Sequence, residues 1–221
     1  YKIGPKLGQG GFGFVYERTR CKDGLEVSIS FTYKTLPISS ELMPGHPEGI
    51  PMEIGLTLMA NKSPRAPEII KILDWEDHFI MVMERPMPCM DLKSFVKLHG
   101  ESLDEGMARN IMRQVTEAAN VCVKRGVFHR DTKMENLLVN QDTMEVKLID
   151  FGCGVQMKRL GYEVFSGTKA YCPPEVTVNG RYYAKPTTVW SLEILRFMML
   201  DQTWPMISSC LQSDPQQRIN L

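Results

Sequence analysis

The residues with the most chemistry in them fall into a few short runs. His129-Arg130-Asp131-Thr132-Lys133-Met134-Glu135-Asn136 combines a carboxylate, a lysine two residues later and an amide five residues after the carboxylate. Such a set can orient a hydroxyl nucleophile and accept its proton, place a cation beside a transferring phosphoryl group, and offer an amide oxygen to a metal ion. Asp150-Phe151-Gly152 begins 19 residues beyond Asp131, and its carboxylate is the hard oxygen ligand that Mg²⁺ takes. Gly8-Gln9-Gly10-Gly11-Phe12-Gly13-Phe14-Val15 fits G-x-G-x-x-G-x-V. Glycines there let the backbone approach phosphates with N–H groups pointing inward. Taken alone, that run is equally a glycine-rich hairpin. A dinucleotide-binding reading needs a helix after the glycines, and here a strand pattern follows. Pro173-Pro174-Glu175 closes the series, with Glu175 25 residues beyond Asp150 and Gly167-Thr168 just before it.

The elements that must position these groups change character along the chain. Tyr1 to Leu7, Phe14 to Arg20 and Leu25 to Lys34 read as strands, the last two joined by Asp23-Gly24, a favoured hairpin turn. Pro51 to Ala60 reads as a helix, and 69–73 and 79–83 as further strands. Glu84-Arg85-Pro86-Met87-Pro88 cannot continue a central strand and reads as a linker between two lobes. Beyond it, Ser102-Leu103-Asp104-Glu105 predicts a capping box with Ser102 as the cap. Leu103, Met107, Ile111, Val115 and Ala119 then mark a long amphipathic helix that Gly126 stops. Val146 to Ile149 predicts a short strand and Thr187 to Leu200 a second apolar helix.

Composition sets the limits. The chain has 221 residues, 43% of them hydrophobic and 24% charged, which is neither disordered nor membrane-embedded. Lys plus Arg and Asp plus Glu each total 26, so no bulk charge draws it to nucleic acid. No two of the six cysteines lie close enough for a Cys-x-x-Cys pair. With no basic-then-apolar leader and no long apolar run, the expectation is a cytoplasmic protein with reduced thiols.

The four motifs in this order resemble the protein-kinase set. The linker followed by Asp91-Leu92, the Pro173-Pro174-Glu175 form and Val189-Trp190-Ser191-Leu192 look like the Pim family of serine/threonine kinases. The resemblance runs from Tyr1 to Leu221 and implies an α+β two-lobed kinase fold: an N-lobe over 1–83, a hinge over 84–90 and a C-lobe over 91–221. It implies transfer of a phosphoryl group from ATP, with Mg²⁺, to Ser or Thr of protein substrates that are basic around the target. It also implies a monomer without membrane or nucleic-acid partners, in cytoplasm and nucleus. Position by position, Asp131 matches the catalytic base and Lys133 the catalytic-loop lysine, and Asn136 and Asp150 match the metal ligands. Leu7, Val15 and Leu138 match the clamp on adenine, and Gly8, Gly10, Gly11, Phe12 and Gly13 the phosphate loop. Glu84 matches the hinge residue whose carbonyl accepts from the adenine amino group, while Pro86 has no N–H to offer. Glu53 matches the glutamate that pairs with a strand lysine. Asp91 and Glu135 match acids that read substrate cations, and Thr168 the threonine that steadies the catalytic aspartate. Glu175 and Arg218 match a buried ion pair.

Two departures follow. Where V-A-I-K should carry the lysine, the row reads Val27-Ser28-Ile29-Ser30. Lys34 is four residues further along the strand, roughly 13 Å at ~3.3 Å per residue, beyond a lysine's reach. Lys6 turns to the opposite face from Leu7. The chain is also short between Trp190 and Arg218, as though a substrate-side helix were deleted. The rival readings are therefore a working kinase, a pseudokinase binding module and an inactive fragment.

Overall fold

The computed structural model describes residues 1–9, 13–33, 42–44, 49–61, 63–200 and 214–218. Gly10, Gly11, Phe12 and Lys34 lie outside these residues, as does most of the shortened stretch, 201–213.

The first part of the chain is a five-stranded antiparallel sheet in the order β1-β2-β3-β5-β4. Its strands are β1 (Lys2–Gln9), β2 (Gly13–Thr19), β3 (Glu26–Tyr33), β4 (Ile69–Asp74) and β5 (His78–Glu84). The Asp23-Gly24 turn forms as expected, with Gly24 at φ 74°, a conformation that favours glycine. Alternation along β3 divides its side chains between two faces. Val27 and Ile29 pack with Val82 on one. Ser30 and Thr32 share the other, where Thr32 pairs with Phe79. Phe79 packs on Ile54 of α1 (Met52–Ala60), so the face carrying Ser30 is the face that α1 covers.

The remainder is mostly helical. β6 (Cys89–Asp91) leads into α2 (Leu92–Leu98), followed by α3 (Glu105–Lys124). Then come β7 (Val127–Phe128), β8 (Leu137–Asn140), β9 (Val146–Leu148) and β10 (Val155–Gln156). α4 (Pro174–Val178) and α5 (Ala184–Met199) complete the layer. β6, β8 and β9 form one small sheet and β7 pairs with β10. Leu92, Ile111, Val115, Leu137, Leu148 and Leu195 form one core beneath them, which takes in Leu56 of α1.

Two helix starts differ from expectation. The cap of α3 is Asp104, whose carboxylate accepts from the Met107 N–H at 2.9 Å, not Ser102. Both residues are cap formers, and burial decides between them. Leu103 is 5% exposed and packs with Ala108 in the core, which anchors the chain before helical geometry begins. α5 starts three residues earlier than its apolar pattern, at Ala184, because Pro186 is tolerated in a first turn.

Candidate active site

The turn between β7 and β8 carries Asp131 into the interior at 6% exposure. Its Oδ1 accepts from the Thr168 N–H at 2.8 Å and from Thr168 Oγ1 at 2.7 Å. Oδ2 accepts from Lys133 Nζ at 2.8 Å and from Asn136 Nδ2 at 3.1 Å. Burial alone would raise the pKa of this carboxyl. The hydrogen bonds from Lys133 and Thr168 outweigh it and hold the group below the ordinary carboxylate range. Asp131 is therefore kept as an anion, as a proton acceptor must be.

The same turn is locked from behind. The Asp131 N–H donates to His129 Nδ1 at 3.3 Å, which leaves the His129 Nε2–H to donate to the Ile149 carbonyl at 3.1 Å. Burial depresses the His129 pKa, so the ring is neutral and keeps this tautomer. The Ile149 N–H returns a bond to the Asn136 carbonyl at 2.9 Å. This couples the Asp131 turn to Asp150 on the next segment. Phe151 packs edge-on against His129 and is buried in the core with Leu56.

Asn136 commits its amide nitrogen to the Asp131 carbonyl at 2.9 Å and to Oδ2. Its amide oxygen is thus the atom left for a cation. Asp150 is exposed, at φ 63°, with Oδ1 accepting from the Gly152 N–H at 3.1 Å. Together these two supply hard oxygen donors, a set that fits Mg²⁺. Among the described residues no group of three or more His, Cys, Asp or Glu is arranged to hold a metal.

The residues that match the family's adenine clamp and phosphate loop divide between the lobes. Gly8 pairs with Val15 across β1 and β2, and Leu7, beside it, is exposed. A Cβ at Gly8 would meet nothing within 4 Å, so that backbone is open to close approach. Gly13 differs, because a Cβ there would fall 1.6 Å from the Phe31 carbonyl oxygen. Strand packing alone requires that glycine. Leu138 is half-buried on β8 and lies opposite Lys147 on β9. Lys147 in turn pairs with the Glu84 carboxylate, tying the linker to the second lobe.

Ser30 is 6% exposed and shares a face with Val15 and Met81, its partners in the sheet. Glu53 lies on the helix that covers this face. No ion pair or side-chain hydrogen bond to its carboxylate is found among the described residues. Burial, with Asp150 adding repulsion, pushes its pKa up to about 7. With serine at position 30, no cation among the described residues answers the Glu53 carboxylate.

On the outer side, Asp91 caps α2 through the Ser94 N–H at 3.0 Å, and Glu135 pairs with Lys93 at 2.9 Å. Sequence reasoning overlooked Lys93 and Lys147, whose partners lie 42 and 63 residues away. Gly167 it noted without a role. A Cβ at Gly167 would meet the Arg130 carbonyl at 2.4 Å, so a side chain there would crowd the stretch of chain that carries Thr168 to Asp131.

The model of the protein kinase domain matches residues 1–221. The chain belongs to the protein kinase domain family. Its fold is the two-lobed α+β kinase fold, with β1–β5 in the N-lobe and α3–α5 in the C-lobe. This kinase domain is 39% identical over 208 residues to "Serine/threonine-protein kinase pim-2" of Danio rerio, covering 90% of the chain and 67% of that protein. To "Serine/threonine-protein kinase prk-2" of Caenorhabditis elegans it is 34% identical over 252 positions, covering 100% and 56%. That alignment is 252 − 221 = 31 positions longer than the kinase domain, so at least that many face no residue here. The "PAS domain-containing serine/threonine-protein kinase" of Mus musculus is 32% identical over 93% of the domain and 15% of its own length. The domain therefore spans about two thirds of the first relative, about half of the second and a small part of the third. Its resemblance is to serine/threonine kinases of several subfamilies. No helix among the described residues is long and apolar enough to cross a membrane.

Proposed function

We propose that the chain is the kinase domain of a Pim-like serine/threonine kinase, with 1–83, 84–90 and 91–221 as N-lobe, hinge and C-lobe. It takes the γ-phosphoryl group of ATP to Ser or Thr hydroxyls of protein substrates. The observation that carries this reading is the Asp131 carboxylate, held ionised by Lys133 and Thr168 with Asn136 alongside. Asp131 orients the acceptor hydroxyl and takes its proton. Lys133 places its charge beside the transferring group, and Thr168 keeps the carboxylate from turning. Asn136 and Asp150 would hold Mg²⁺, which supplies neutralisation of phosphate charge. Leu7, Val15 and Leu138 enclose the base, the Glu84 carbonyl accepts from it, and the glycine run lies along the phosphates.

Phosphorylation of serine peptides by the purified chain with ATP and Mg²⁺ tests it. Turnover should be present and should fall at least a hundredfold in Asp131→Asn, since positioned proton transfer contributes ~10²–10⁴-fold. Equal turnover by both proteins would reject the assignment. A second reading, a pseudokinase binding module, is favoured by Ser30 and the unpaired Glu53. A cooperative melt without any ATP- and Mg²⁺-dependent shift, together with no turnover, would select it.

A further inference from the structure

The rim of the catalytic loop carries an ion pair that the chemistry above does not use. Glu135 lies two residues after Lys133 and is exposed, and Lys93 Nζ stands 2.9 Å from its Oε1. Lys93 belongs to the first turn of α2, two residues after Asp91. Asp91 is itself occupied, since Oδ1 accepts from the Ser94 N–H at 3.0 Å and Oδ2 from Ser94 Oγ at 2.7 Å. Lys93 feels both acids: the hydrogen bond and charge of Glu135 raise its pKa, and the charge of Asp91 adds to them. The two carboxylates on this side of the reacting loop are thus answered from within α2.

We propose that Lys93 is a specificity-determining residue, an internal counter-ion standing where a substrate's arginine or lysine would otherwise sit. Peptides without basic residues beside the acceptor hydroxyl are then accepted as readily as basic ones. The inference rests on the reading of the chain as a kinase of protein hydroxyls. An incoming guanidinium must displace an ammonium already paired with Glu135. The pair is solvent-exposed and screened by salt, so the competition is a few-fold effect.

The test is binding, so that it does not depend on turnover. Two labelled serine peptides, differing only in arginines or alanines beside the serine, are titrated with the full chain at low salt and followed by fluorescence anisotropy. Lys93→Ala should tighten the arginine peptide roughly two- to fivefold and leave the alanine peptide unchanged. Lys93→Ala with Glu135→Gln should lose that gain. Lys22→Ala, in the exposed β2–β3 turn, removes the same charge and should show none. No gain in Lys93→Ala, a gain that survives Glu135→Gln, or an equal gain in Lys22→Ala would each overturn the proposal. If no variant binds either peptide, the protein-substrate reading itself fails, a result distinct from equal binding by wild type and Lys93→Ala.

Discussion

At Ser30 and Glu53 a single side-chain exchange reaches both stability and catalysis. Glu53 has its pKa raised from the ordinary 4.5 to about 7. A raised acid binds its proton more tightly in the folded chain than in the unfolded one. Its folded form is therefore favoured at low pH, and stability falls as pH climbs from about 4.5 through about 7. The shift of 7 − 4.5 = 2.5 corresponds to at most ~3 kcal/mol. Glu53→Gln should therefore stabilise the chain near pH 8 by up to that amount and change little near pH 4.5. Urea unfolding at both pH values checks it, and an equal effect at the two would clear Glu53 of responsibility. Ser30→Lys returns a cation to the face that α1 covers. It should also gain stability near pH 8, and it should raise phosphoryl transfer at least tenfold, or ~1.4 kcal/mol of barrier. Unchanged turnover would mean either that another group replaces the lysine or that the shortened C-lobe already disables the domain.

Elements far apart in sequence hold α1 in place without that lysine. The last turn of α1 has no basic residue, and its end presents the negative pole of the helix dipole. Arg125, the C-cap of α3, supplies the cation. Its Nη1 donates to the Met59 carbonyl at 3.2 Å, to Ala60 at 2.8 Å and to Asn61. Charge-assisted bonds of this type contribute ~1.5–3 kcal/mol. Arg125→Ala should lose about that much and speed amide exchange across Met52–Ala60 more than across α5. Exchange that rises equally in both helices would show global rather than local loosening. Such contacts also explain what the sequence could not disclose. The Asp131 and Asp150 runs were legible because Lys133, Asn136 and Gly152 lie within a few residues of the carboxylates they serve, and Thr168, 37 residues from Asp131, was reached only through the family pattern. The strands were legible from alternation and Gly24. Arg125 reaches 66 residues back and Lys93 reaches 42 forward, and no periodicity marks either. Gly8 and Gly13 look alike in the motif, yet one is open and the other is pinned by Phe31. The Ser102 cap failed because two neighbouring residues can both cap, and only the burial of Leu103 chooses Asp104.

Across the whole molecule, residues 214–218 return to the segment that steadies the active site. Arg218 donates from Nη1 and Nη2 to the two carboxylate oxygens of Glu175, both at 2.7 Å, with each side chain 1% exposed. Nη1 also reaches the Pro186 carbonyl at 3.2 Å, and the guanidinium lies over the Trp190 ring at 4.9 Å. Glu175 opens α4, seven residues after Thr168, so this pair anchors the far end of the segment whose near end holds Asp131. A bidentate, fully enclosed pair is costly to break from one side because the remaining charge has neither water nor partner. Removing one member of such a pair typically costs ~3–5 kcal/mol, whereas replacing both by apolar groups is often neutral. Arg218→Ala should therefore destabilise the chain by about that amount, and Glu175→Leu with Arg218→Met should recover most of it. The single variant should also lose amide protection from Thr168 to Val176 before α3 does, because the segment then keeps its ties at Asp131 and at the buried Tyr171 but loses the one at its far end. Urea unfolding of the three proteins, with hydrogen exchange on the single variant, measures both. Were Arg218→Ala to cost under 1 kcal/mol, the return of 214–218 onto α4 and α5 would not be what holds this segment.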